Sequence, residues 1–139
     1  MCALIVKNGK LVSMGMNGTA SKMPNCCDVF PEFDPIKDVE IRKQHHEWSS
    51  KFEIHAELNA ILNAANEGIR LNGATMYITN LCCSNCLKHI VGAGIKRVIY
   101  RGDYDKGASE EERKEYRKIG IEILQFAEGV VFSTNQNIC

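Results

Sequence analysis

Residues 53–100, EIHAELNAILNAANEGIRLNGATMYITNLCCSNCLKHIVGAGIKRVIY, pass twice from a helical to a strand pattern. Over 53–67 the apolar residues Ile54, Leu58, Ile61, Leu62 and Ala65 recur at helical spacing, and Gly68 follows as a stop. Residues 74–79 read as a buried strand. Residues 84–93 predict a short helix with Leu87, Ile90 and Val91 on one face, ended by Gly92 and Gly94, and 97–100 the next strand. Upstream, the apolar runs 3–6 and 11–14 are joined through Asn8-Gly9, a strong hairpin signal because both turn positions want positive φ. Residues 17–51 are rich in Pro, Gly, Asp, Lys and His without a sustained period, and predict an ordered insertion or long loop. Downstream, Ser109 with Glu112 forms a capping-box pattern opening a charged helix that Gly120 ends. Residues 121–126 are the last clear strand, and beyond Glu128 only a tail is expected. The order β-β-α-β-α-β-α-β calls for a single sheet with helices on both faces.

A chain of 139 residues, 45% hydrophobic, can bury one core and is expected to form one domain. Seventeen Lys plus Arg balance seventeen Asp plus Glu, so no broad positive field invites a phosphate polymer, and no nucleic-acid partner is expected. The opening residues lack the basic region of a signal peptide, and no apolar run approaches the roughly 18 residues a membrane helix needs. A soluble, cytoplasmic protein is the expectation. Seven cysteines is an odd number without an export signal, which favours reduced thiols, some bound to metal, over a disulfide framework.

Two short segments carry chemistry: His55-Ala56-Glu57 and Cys83-Ser84-Asn85-Cys86. Both lie where strands feed helices, the rim at which α/β sheets place ligands. Two cysteines spaced across a helix start can aim both sulfurs at one ion, and the exposed N–H groups of the first turn favour thiolates. His55 makes a third ligand and leaves the fourth tetrahedral position for water. Two thiolates cancel the charge of zinc, so the site acidifies water less than a three-histidine site, where the bound-water pKa is about 7. Glu57, two residues beyond the ligand, is placed to take that proton and pass it on. Taken singly, Cys-x-x-Cys fits a structural zinc corner or a redox pair, and a closed four-ligand site would need Cys82 or another group.

The His-x-Glu and Cys-x-x-Cys pairing is a signature of zinc-dependent base deaminases. Residues His55-Ala56-Glu57-Leu58-Asn59-Ala60-Ile61 resemble the deoxycytidylate (dCMP) deaminase branch of the cytidine deaminase superfamily, including its bacteriophage members. Gly15-Met16-Asn17-Gly18 is similar to that family's nucleotide-contacting loop, Asn25-Cys26-Cys27-Asp28 to a phage-type insertion, Glu47-Trp48-Ser49-Ser50 to the approach to the zinc helix, and 92–100 with Tyr104-Asp105 to the following strand and loop. The likeness runs from about residue 3 to 126. It implies a three-layer α/β/α sandwich with a five-stranded mixed sheet. It implies that Asn17 and Glu57 bind sugar and base, that Ala56 offers its backbone N–H to the base, that Tyr104 lines the nucleotide pocket, and that Asn59 supports the sugar or phosphate side. It also implies a second, structural zinc on Cys26, His45 and Glu53, with Cys27 and His46 as rival ligands; His89 is expected at the surface.

Three departures stand out. Cys82 replaces the family's proline before the first zinc cysteine. The family's first helix, which supplies a further cysteine to the second zinc, has no counterpart ahead of residue 3. Asn63 and Asn66 stand where regulated phage members carry an aromatic residue and an arginine, so allosteric control by dCTP and dTTP, with accompanying Mg2+, is expected to be altered or absent. The function expected is zinc-dependent hydrolysis of dCMP to dUMP, feeding thymidylate synthesis, in a homo-oligomer that the resemblance makes a hexamer. The alternatives are a tRNA adenosine deaminase-like enzyme and a non-catalytic zinc module of the same fold.

Overall fold

The computed structural model describes residues 1–31 and 39–126. Asn8 and Gly9 take φ of 52° and 71°, and the turn folds β1 (Cys2–Lys7) back on β2 (Lys10–Met16) as an antiparallel hairpin. β1 then pairs antiparallel with β5 (Thr75–Asn80), and β6 (Arg97–Gly102) and β7 (Glu122–Gln125) continue the sheet in parallel. The strand order is β2-β1-β5-β6-β7, the five-stranded mixed sheet expected.

Three helices connect these strands: α3 (Ala56–Asn66), α4 (Ser84–Gly92) and α5 (Glu110–Lys118). The parallel strands step in one direction, so right-handed crossovers put α4 and α5 on the same face. There Ile5, Met76 and Val98 pack with Leu87 and Ile90 of α4 in the buried core. On the opposite face Leu4, Tyr77, Leu124 and Phe126 remain exposed, and Leu4, Tyr77 and Phe126 border an apolar groove of ≈ 250 Å³. The described residues supply no second helical layer over that face.

Helix α3 departs from its sequence pattern in two ways. It begins at Ala56, because Glu53–Ile54 form a short strand, β4, paired with β3 (Gly18–Thr19), which leaves His55 extended as the N-cap. Its buried stripe is Ala56, Glu57, Ala60 and Ala64, whereas Leu62 is exposed. Small residues win this face because helix and strand meet almost backbone to backbone. A Cβ on Gly15 of β2 would lie 2.3 Å from both Ala56 O and Ala60 N.

The 17–51 segment is less loop-like than its composition suggests. It holds β3, a single turn α1 (Cys26–Val29) with a capping box between Asn25 and Asp28, and most of the fourteen-residue helix α2 (Val39–Phe52). α2 buries no residue; edge-on and tilted ring contacts among Phe30, His45, Trp48 and Phe52 hold it, which explains why no apolar period announced it. The tail expected beyond Glu128 lies outside the described residues.

Candidate active site

Three elements converge on His55, Cys83 and Cys86. The β3–β4 bridge fixes His55 in extended backbone at the mouth of α3. Cys83 is the N-cap of α4, and its sulfur accepts the Cys86 N–H at 3.5 Å, which folds the Cys-x-x-Cys turn so that both thiols face one way. The Nδ1 atom of His55 lies 3.6 Å from Cys83 Sγ and 3.3 Å from Cys86 Sγ. Ligands at ordinary zinc–nitrogen and zinc–sulfur distances on a tetrahedron stand roughly 3.5–3.8 Å apart, so the donor set fits one zinc ion. Cys82, the candidate fourth sulfur, is fully buried and does not belong to this cluster. Burial, then the Glu57 charge beside it, pushes its thiol up to about 12. Burial also raises Cys86, helped by Glu57 and Cys83. Three side chains with a fourth direction left over is the arrangement of a catalytic site.

Glu57 sits in the first turn of α3 with no solvent exposure. Neither carboxylate oxygen has a hydrogen-bond partner of acceptable distance and angle among the described residues. Burial pushes its carboxyl up, tempered by its own backbone N–H, by His55 and by the nearby Cys86 thiol. A buried, unpartnered carboxyl is costly, and its persistence points to chemistry.

The cluster opens into a pocket of ≈ 450 Å³ whose walls include His55, Cys83, Cys86, Glu53, Leu58 and Tyr104. That size suits a small polar ligand. Asn17 comes to the site through one bond, its Oδ1 accepting the Ala56 N–H at 2.9 Å, so the backbone donor expected to meet a base is already engaged. Asn59 does not line this pocket. Its Nδ2 donates to Met16 O at 2.8 Å and clamps the loop that carries Asn17, while Asn63 does the same to Met14 O at 2.9 Å. These two asparagines are ties between α3 and the edge strand. His89 is exposed, its Nδ1 bonded to Asn85 O, as expected of a surface residue.

A second cluster joins Cys26, His45 and Glu53. His45 Nε2 lies 3.0 Å from Cys26 Sγ, and Glu53 also accepts from Ser49 Oγ at 2.5 Å. The rivals fall elsewhere: Cys27 is exposed, and His46 lines the pocket beside His55, Cys83 and Cys86. Burial, then the Glu53 carboxylate, pushes the Cys26 thiol up, the crowding of negative groups that a cation relieves. Sulfur, imidazole and carboxylate all suit zinc.

The zinc-binding region of cytidine and deoxycytidylate deaminases matches residues 1–101. The deoxycytidylate deaminases of Enterobacteria phages T4 and T2 are each 40% identical over 130 residues, 75% of this chain and 67% and 69% of theirs. This chain belongs to that deaminase family. A solved dCMP deaminase of cyanophage S-TIM5, in complex with dCMP and dUMP, superposes with a TM-score of 0.65 at 28% identity, covering 90% of this chain and 79% of that one. The cluster of His55, Cys83 and Cys86, with the buried Glu57 in the next turn of α3, has the residue types that a zinc deaminase site requires. The walls of the deaminase pocket also include His46, Ser49, Ser50, Asn85 and Lys106, none of which the motifs marked as substrate contacts. The sequence signals for them were position alone: Asn85 lies inside the Cys-x-x-Cys turn, Ser49 and Ser50 follow Trp48, His46 is two residues before it, and Lys106 is two residues after Tyr104. No helix among the described residues is long and apolar enough to cross a membrane.

Proposed function

We propose that this chain hydrolyses dCMP to dUMP and ammonia, with the whole chain acting as one domain. The observation that carries the reading is a fully buried Glu57 carboxyl beside a three-ligand His55, Cys83, Cys86 set at the floor of a nucleotide-sized pocket. Zinc, held by those three residues, supplies the Lewis acidity that makes a water nucleophilic near neutral pH. Water adds to the ring carbon bearing the amino group. Glu57 takes the proton of that water and delivers it to the adjacent ring nitrogen; a second proton goes to the amino group, ammonia leaves, and the ring keeps a carbonyl. Burial raises the carboxyl, which makes it a stronger base than an exposed glutamate.

Other residues orient the substrate. Tyr104, exposed at the pocket mouth, offers an aromatic face, and Asn17 is placed beside Ala56 to hold the sugar. Cys26, His45 and Glu53 hold a second zinc that ties the insertion to the α3 entrance. The same reading extends to a cytoplasmic homo-oligomer, a hexamer, supplying dUMP for thymidylate synthesis. Control by dCTP or dTTP with Mg2+ is weakened, because Asn63 is spent on the Met14 carbonyl. The balanced charge gives no support to a tRNA substrate. The test is to offer dCMP, cytidine and a tRNA anticodon hairpin to zinc-loaded protein and measure ammonia and the deaminated product. Turnover of dCMP alone is expected; turnover of the RNA hairpin, or of none, defeats the proposal.

A further inference from the structure

The sheet face opposite α4 and α5 is apolar in register across all five strands. Met14 of β2 pairs with Leu4 of β1, Leu4 with Tyr77 of β5, Tyr77 with Ile99 of β6, and Ile99 with Leu124 of β7. The neighbouring row, Ile5, Met76, Val98 and Ile123, belongs to the core, so by the two-residue period of a strand this row points the other way. At about 4.8 Å between strands the belt is roughly 20 Å long. Met14, Leu4, Tyr77 and Leu124 are exposed, and a groove of ≈ 250 Å³ lies on the belt, lined by Cys2, Leu4, Tyr77, Ile99 and Phe126 among others. Among the described residues no helix covers it. A continuous apolar belt of this length marks a surface with an occupant.

The chain itself arrives at this surface. Phe126, the last residue described, lines the groove, and its N–H donates to Tyr100 O at 2.7 Å, carrying the β6–β7 pairing one step further. Outside the described part the sequence continues Ala127-Glu128-Gly129-Val130-Val131-Phe132. A glycine, which tolerates a sharp turn, is thus followed by three consecutive apolar residues directly after the groove's own wall. Residues 133–139 add no charged side chain. Extended at roughly 3.3 Å per residue, 127–132 span about 20 Å, the length of the belt. A segment tethered at Phe126 meets the groove at an effective concentration on the order of millimolar, which a second copy in dilute solution does not match.

We propose that the apolar run Val130-Val131-Phe132 docks on this belt and covers the groove, so that the chain's own continuation after β7 is the occupant of the open face. The inference stands apart from the dCMP deaminase reading. Its probe is the thiol of Cys2, which lines the groove and is half-buried without any cover. The full chain is alkylated with iodoacetamide and the labelled peptides are mapped by mass spectrometry, for wild type, for Phe132→Asp, and for Asn137→Asp, which places the same charge beyond the apolar run. Cys2 should react slowly in wild type and in Asn137→Asp at every protein concentration, and at least about tenfold faster in Phe132→Asp, with the circular-dichroism spectrum unchanged. A Cys2 that reacts in folded wild type as fast as in the urea-unfolded chain, or a protection that Phe132→Asp leaves intact, overturns the proposal. Protection that fades on dilution and ignores Phe132→Asp gives the face to a second copy and overturns it as well. Chymotrypsin supplies a reading that needs no variant: cleavage after Phe132 should be slow while wild type stays folded. Rapid cleavage there with Cys2 still protected shows that something other than this segment covers the belt.

Discussion

Glu57 is the residue on which two opposite demands meet. Its carboxyl is held without solvent and, among the described residues, without a hydrogen-bond partner of good geometry, which destabilises the ionised form, yet a shuttle must ionise to work. Glu57→Gln keeps the shape and all three metal ligands, so the variant should bind zinc as wild type does while kcat falls by about 10²–10⁴, the usual worth of a general acid–base. Zinc content by metal analysis and ammonia release decide this; retained turnover defeats the role. A second outcome concerns stability. Burial raises the folded-state carboxyl above its ordinary 4.5, so below that value both states are protonated and the site costs nothing. As pH rises above 4.5 and through the folded value, the metal-free protein loses stability, and Gln, always neutral, escapes that loss. Metal-free Glu57→Gln should thus melt above metal-free wild type at pH 7, with the gap closing as pH falls to 4. At this scale the sequence was legible wherever chemistry is written locally: His55, Glu57, Cys83 and Cys86 lie in two short motifs that a helix start and a helix cap fold by themselves. Lys106, Ser49 and His46 were not, because each meets the pocket only after separate elements have packed. What Asn59 does to the loop that carries Asn17 was hidden for a related reason: nothing local reveals that the Met16 carbonyl lies within its reach.

Elements were legible where one local rule dominated. The Asn8-Gly9 hairpin and the Ser109–Glu112 capping box formed as their residues dictate, with both reciprocal bonds present in the latter. Ser109→Ala should destabilise the protein by about 1 kcal/mol in chemical denaturation, since the Glu112 N–H loses its acceptor. Helix α3 shows the opposite case. Counting large apolar residues selects Leu58, Ile61 and Leu62, but close approach to β2 gives the buried face to alanines, and the cause lies forty residues upstream in Gly15. A methyl there would meet backbone atoms of Ala56 and Ala60, which cannot rotate away as a side chain can. Gly15→Ala should therefore cost about 3 kcal/mol, at the upper end of overpacking penalties, and push α3 off the sheet. Since α3 carries His55 and Glu57, zinc affinity should fall in the same variant. A protein as stable and as tightly metallated as wild type would show that the helix has room to yield.

At the scale of the molecule, the two candidate metal clusters join different elements. His55, Cys83 and Cys86 join the starts of α3 and α4, two helices that pack on the core; Cys26 and His45 join α1 to α2, a helix that buries nothing. Glu53 then ties that outer assembly to β4, beside the site. Losing the first metal should lower the melting temperature of the whole protein, because ligand binding to the folded state stabilises the global transition. Losing the second should open only the segment it fastens, since opening follows local packing and α2 has few packed contacts beyond its aromatic ring pairs. Cys26→Ser separates the two. Wild type should carry two zinc ions per chain and the variant one. Amide exchange should quicken across α2 and β3–β4, while α4 and the central strands stay protected. The His55 side should feel the change weakly, through β4, as a modest loss of turnover with zinc at the first site retained. One zinc in wild type, or unchanged exchange in α2 of the variant, would show that Cys26, His45 and Glu53 meet without holding a metal.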